Sequence, residues 1–170
     1  PLGKEILHEI WNLTRMGPTS ANCSPARIVF ITSEKAKKKL CPALLEANIE
    51  KTLSAPVSAI IGYDMEFYKL LPKLFPHTDA RSWFVGKEEL IHTTAFRNGT
   101  LQGAYFMIAA RALGLDCGPI SGFDNAIVDA TFFANSAVKS NFICSIGYGN
   151  DENLHPRSPR LDFDEACRID

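Results

Sequence analysis

The chain has 170 residues, 46% of them hydrophobic and 22% charged, and its 18 basic and 19 acidic side chains leave a formal charge of -1. One core is the expectation at this length, since two independent cores need more buried surface than the chain supplies. The near-neutral balance offers no broad positive field for nucleic acid or anionic lipid.

We therefore expect a single domain over residues 1–170. The longest apolar runs, Val57–Gly62 and Tyr105–Leu115, are interrupted or fall short of the roughly 20 residues of a membrane span, so no membrane association is expected. Cys23, Cys41, Cys117, Cys144 and Cys167 are scattered and odd in number, which argues against a disulfide framework and for a reduced, cytoplasmic setting. No secretory signal opens the chain, and Pro1 is not an ordinary initiator, so the natural beginning is expected to be missing.

Ile6, Leu7, Ile10, Leu13 and Met16 recur at helical steps and predict an amphipathic helix ending near Gly17-Pro18. The small polar stretch Thr19–Asn22 predicts a turn, and Ile28–Ile31 a strand. Glu34–Leu45 predicts a helix broken at Pro42, with Lys37, Lys38 and Lys39 on a solvated face. After Pro56, Val57–Ile61 predicts a buried strand. Phe67–His77, aromatic and twice interrupted by proline, fits either a binding lid or an irregular segment anchored to the core.

Thr100–Leu113 predicts a long helix whose alanines permit close approach of another element, a second subunit included, with Gly114 as its stop. Cys117–Gly122 predicts a turn-rich segment whose backbone a cofactor could approach. Asp124 or Asn125 starts a further helix, and Phe142–Ile146 predicts another strand. From about residue 150 the chain becomes an irregular C-terminal arm.

His8, His77, His92 and His155 are isolated and the cysteines lack zinc-binding spacing, so no metal is expected. G-x-S-x-G, G-x-G-x-x-G and P-loop patterns are all missing, which disfavours hydrolase, Rossmann and P-loop chemistry. Arg15, Arg27, Arg157 and Arg160 are either phosphate donors or surface arginines. Thr19, Ser20 and Asn22 offer donors and acceptors to the edge of a planar heterocycle, or simply cap a turn. Amides in Pro119, Ile120, Ser121 and Gly122 suit a reducible ring, or an ordinary glycine turn.

These pieces occur in a telling order. Gly17-Pro18-Thr19-Ser20-Ala21-Asn22-Cys23-Ser24-Pro25-Ala26-Arg27, Asp79-Ala80-Arg81-Ser82-Trp83-Phe84, Phe96-Arg97-Asn98-Gly99-Thr100-Leu101-Gln102-Gly103-Ala104-Tyr105, the run from Ala109 to Asp124, Gly147-Tyr148-Gly149 and Pro156-Arg157-Ser158-Pro159-Arg160-Leu161 together resemble the nitroreductase family over nearly the whole chain. The resemblance is closest to its malonic semialdehyde reductase, or 3-hydroxypropionate dehydrogenase-like, branch. It implies an α+β nitroreductase-like fold with a central mixed sheet flanked by helices. It also implies a homodimer with two FMN sites at the interface, and an arm that reaches the partner subunit.

By the same resemblance Thr19, Ser20 and Asn22 lie beside the flavin, Pro119 to Gly122 pass near its ring, and Arg157 or Arg160 approaches its phosphate. Family members carry a further phosphate-binding arginine segment before the first helix, which this sequence is expected to lack. The implied activity takes hydride from NADH or NADPH through FMN to malonic semialdehyde, giving 3-hydroxypropionate. Arg81 and Arg97 are candidates for holding the substrate anion or for structural ion pairs. The alternatives are a nitroreductase or quinone reductase of broad acceptor range and a flavin-binding redox sensor without efficient turnover.

Overall fold

The structure, a computed structural model, describes residues 2–150 and 154–170. In chain order its helices are α1 (Lys4–Thr14), α2 (Glu34–Leu40), α3 (Glu46–Ser54), α4 (Leu71–Leu74), α5 (Glu88–Ala112), α6 (Asn125–Phe132) and α7 (Phe163–Ala166). Its strands are β1 (Ala26–Ile31), β2 (Val57–Asp64), β3 (Asp116–Ile120) and β4 (Val138–Gly147).

The strands form one sheet in the order β1-β2-β4-β3, giving the expected α+β class with helices about a central sheet. Among the described residues every pairing is antiparallel, so the sheet is not the mixed one the resemblance implied. β2 is buried from Val57 to Tyr63 because helices cover both faces, which is why its sequence reads as an apolar run rather than an alternation.

One face carries α1 and α5, whose Leu7, Ile10, Phe106 and Ala110 pack on Ala59, Ile61, Cys144 and Ile146. The other carries α2, the turn Cys41–Ala43 and α6, with Leu40, Ala43, Leu44 and Val128 packed on Ile31, Ile60 and Ile143. A third cluster joins Cys23, Tyr63, Phe67, Leu71, Phe84, Ile91 and Ala95. It roots the Phe67–His77 segment in the core through the fully buried Phe67 and Leu71, favouring the anchored reading over a lid.

Three expectations need correction. α5 begins at Glu88, twelve residues before Thr100, and runs about 37 Å. Its inward positions include Thr94, Asn98, Gly99, Gln102 and Gly103, small or polar residues that hide the helical period. A Cβ on Gly103 would lie 2.6 Å from the Phe142 ring, so close approach to β4 requires glycine there. Next, Asp116–Ile120 is an edge strand rather than a turn, and an edge is where proline is tolerated within a sheet.

Finally, Lys37 does not share a solvated face with Lys38 and Lys39. It is buried, and its Nζ donates to the carbonyls of Leu53, at 2.9 Å, and Ala55, at the C-terminal end of α3. There the ammonium satisfies carbonyls left without helical partners.

Candidate functional site

The segment from Pro18 to Ala26 is laid along α5 by side chains that reach up from the helix. Asn98 Oδ1 accepts from the Ser20 amide at 2.8 Å, Gln102 Oε1 from the Ala26 amide at 2.8 Å, and the Tyr105 hydroxyl donates to the Pro18 carbonyl at 3.0 Å. Asn98 and Gln102 are buried and one helical turn apart. Sequence reasoning missed both, although an Asn and a Gln four residues apart, each followed by a glycine, was the available signal.

Ser20–Asn22 forms a tight turn in which Ala21 and Asn22 both have φ 49°, and Ser24 has φ 39°. Left-handed backbone costs a non-glycine residue roughly 1–2 kcal/mol, and such strain concentrates at functional sites. Thr19 Oγ1 accepts from the Ser24 amide at 3.1 Å, and Asn22 Nδ2 donates to the Leu74 carbonyl at 2.8 Å. Those two side chains therefore shape the turn, while the exposed Ser20 hydroxyl and the Asn22 Oδ1 are uncommitted among the described residues. Cys23 beneath them is buried, and burial pushes its thiol up to about 11, so it sits in the packing as a neutral thiol.

Pro119 and Ile120 close β3, and Ser121 and Gly122 follow it. The Gly122 carbonyl accepts from the Leu45 amide at 3.0 Å and from Asn48 Nδ2 at 2.9 Å, while the Asp124 amide donates to Ala43 at 2.7 Å. Ile120 is buried, whereas Pro119 and Ser121 are exposed. This segment is thus tied to the side of the sheet that carries α2 and α3, and Thr19–Asn22 to the side that carries α5.

The two segments also adjoin opposite edge strands, β3 and β1, whose axes lie about 14 Å apart across three strand spacings. One chain does not bring them together. Arg157 and Arg160 stand on the exposed arm, where the Arg160 guanidinium donates to the Ser158 and Pro159 carbonyls at 2.8 and 3.0 Å. No hydrogen bond or ion pair joins either arginine to the other two groups among the described residues. The root of the arm is fixed: Asp116 accepts from the Gly149 amide at 2.8 Å and from Arg111, and the amide, with Arg111 helping, holds its carboxyl below the ordinary range.

Of the other arginines, Arg27 is committed to Asp64 at 2.8 Å and to the Ser24 and Ala26 carbonyls. Arg81 and Arg97 are exposed and, among the described residues, form no ion pair. Arg97 lines a groove of about 540 Å³ along the outer face of α5 with His92, Phe96, Thr100 and Leu101. That groove and the strained turn are carried by the same stretch of helix.

Residues 1–148 match the model of the nitroreductase family. The chain belongs to this family. A protein of Burkholderia lata carrying the provisional name NADH dehydrogenase/NAD(P)H nitroreductase is 59% identical over 170 residues, covering 100% of this chain and 87% of the relative. A provisionally named nitroreductase of Bacillus subtilis superposes with a TM-score of 0.88 at 22% identity, over 99% of this chain and 89% of the other. One from Exiguobacterium sibiricum, solved in complex with FMN, gives 0.87 at 20% identity over 99% and 88%. These structural likenesses bear on the fold.

Whether this nitroreductase chain suits a flavin is decided by its own atoms. The strained turn presents the Ser20 hydroxyl outward, and the Ser121 and Gly122 amides have no backbone partner among the described residues. Arg157 is an exposed guanidinium without an ion pair among the described residues. Hydroxyl, amide and guanidinium are the donors that a ring edge, a ribityl chain and a phosphate require. The donor set fits, divided between two ends of the chain.

Proposed function

We propose that this nitroreductase is an FMN-dependent NAD(P)H oxidoreductase, built as a cytoplasmic homodimer, whose acceptor is malonic semialdehyde. The observation that supports a shared site is the separation of Thr19, Ser20 and Asn22 from Pro119, Ile120, Ser121 and Gly122 on opposite edges and faces of one sheet. Two copies allow the turn of one and the β3 end of the other to meet a single ring. The arm from about 150, exposed over residues 154–170, supplies the reach toward the partner subunit, bringing Arg157 and Arg160 to the phosphate.

Bound FMN supplies the hydride chemistry that no side chain of the set performs. Ser20 and Asn22 Oδ1 orient the heterocycle edge, and the Ser121 and Gly122 amides stabilise negative charge on it. For the acceptor, Arg97 holds the carboxylate through charge-assisted bonds in a groove whose Phe96 and Leu101 exclude water. The net reaction moves one hydride from NADH or NADPH and one proton from solvent onto the aldehyde, giving 3-hydroxypropionate.

The names of the relatives favour a second reading, a nitroreductase or quinone reductase, which the apolar lining of the same groove accommodates. Turnover of malonic semialdehyde, a nitroaromatic and a quinone by wild type and Arg97→Ala separates the two. The first reading expects the semialdehyde to be preferred and its KM to rise roughly tenfold or more in the variant. Rapid turnover of the nitroaromatic with none of the semialdehyde would discard it. Flavin binding with no NAD(P)H-driven reduction would leave only the redox-sensor alternative.

A further inference from the structure

We propose that Cys117 and Cys144 form a peroxide-oxidisable dithiol that closes reversibly to a disulfide between β3 and β4. The register pairs Cys117 with Ile146 and Cys144 with Pro119, which makes the two cysteines diagonal neighbours on one face of the sheet. That face is the one under α5: Cys144 belongs to its buried core, and Cys117 packs against the same cluster from the edge. All five cysteines are free thiols.

Access differs between the two. Cys117 is half-buried on the edge strand, where its Sγ donates to the Met107 carbonyl of α5 at 3.7 Å, whereas Cys144 is fully buried on the inner strand. An oxidant therefore meets Cys117 first. The thiols also influence each other directly: contact with Cys144, aided by Arg111, makes Cys117 more acidic, and the same contact together with burial makes Cys144 less so. The half-buried sulfur is the better nucleophile and the fully buried one is the reserve.

In the first step Cys117 Sγ, as thiolate, attacks one oxygen of hydrogen peroxide. The O–O bond breaks, hydroxide leaves and is protonated, and Cys117 becomes a sulfenic acid. The Cys144 thiol then attacks the Cys117 sulfur, and its proton departs with the displaced hydroxyl as water. Two thiols and one peroxide give one disulfide and two waters, the sulfurs supplying both electrons.

Diagonal Cα atoms across an antiparallel pair lie about 7–8 Å apart, just beyond the usual span of a disulfide, so closure must draw β3 inward. As an edge strand bonded on one side only, β3 is free to make that small movement. The resulting bond is strained and readily reduced, which makes the site a reversible one. None of this depends on the flavin assignment.

The test treats the reduced, folded protein with stoichiometric hydrogen peroxide. The expected product is two hydrogens lighter, has lost two of its five alkylatable thiols, and yields a Cys117–Cys144 linked peptide that dithiothreitol removes. Cys117→Ser, at the half-buried position, is expected to retain its four remaining thiols at the same dose, and Cys144→Ala to stop at a Cys117 sulfenic acid, one oxygen heavier and trapped by dimedone. Wild-type protein with Cys144 still alkylatable after Cys117 has oxidised, or with the loss falling on Cys41 and Cys167, would overturn the proposal.

Discussion

Replacing Lys37 by methionine isolates one charge in a run of three. Its Nζ bridges the carbonyls of Leu53 and Ala55, closing α3 against α2, while Lys38 and Lys39 point into solvent. A hydrogen bond from a charged donor contributes roughly 1.5–3 kcal/mol. Methionine keeps the aliphatic stem in place, but it leaves two carbonyls for water to reach and relieves the cost of burying an ammonium. The net loss should be about 2–3 kcal/mol, equivalent to a Tm lowered by roughly 5–10 °C in a chain of this size. Lys38→Met and Lys39→Met should stay within about 0.5 kcal/mol of wild type. Urea denaturation followed by circular dichroism, at one protein concentration for all four proteins, measures the contrast. Three indistinguishable midpoints among the variants would refute the assignment of Lys37 as the cap of α3.

The Cys23 thiol should make the protein alkali-sensitive: an unfolded thiol loses its proton near pH 9.0 and the folded one near 11, so the folded state binds more protons between them. Stability should therefore fall as pH rises through that window, by about 2–3 kcal/mol, and Cys23→Ala should flatten the decline in pH-dependent denaturation. Gly103→Val should destabilise by roughly 1–3 kcal/mol or more, since its branches would enter the Phe142 ring and Ile61, and thermal melts will show it. Arg160→Ala should weaken FMN binding, as measured by equilibrium dialysis, more than it changes the unfolding midpoint. Asn22→Ala should lower both, because Asn22 combines a left-handed backbone with a bond to Leu74.

Much of the fold was legible where burial follows hydrophobicity. The β2 run and the Asp124 cap of α6, whose side chain accepts from the Ile127 amide, stand where their patterns put them; of the α1 stripe Ile6, Leu7 and Ile10 face the core, but the helix ends at Thr14 and Leu13 and Met16 are exposed. What escaped was polarity turned inward: Asn98 and Gln102 hold a distant loop instead of water, and Lys37 spends its charge on helix carbonyls. Gly118-Pro119 read as a turn because local propensity carries no knowledge of which strand will be an edge. For the site, residue types and order identified the three groups of candidates. The placement of the first two at opposite edges of a sheet is a property of topology, invisible until the strand order is known.

Anaerobic titration of the FMN-loaded protein with NADH or NADPH, followed by malonic semialdehyde, probes the proposed activity most directly. The proposal expects the flavin absorbance to bleach stoichiometrically with nicotinamide and to return as one equivalent of 3-hydroxypropionate forms. Flavin that stays oxidised under excess nicotinamide, or reduced flavin that a nitroaromatic reoxidises and the semialdehyde does not, would contradict it.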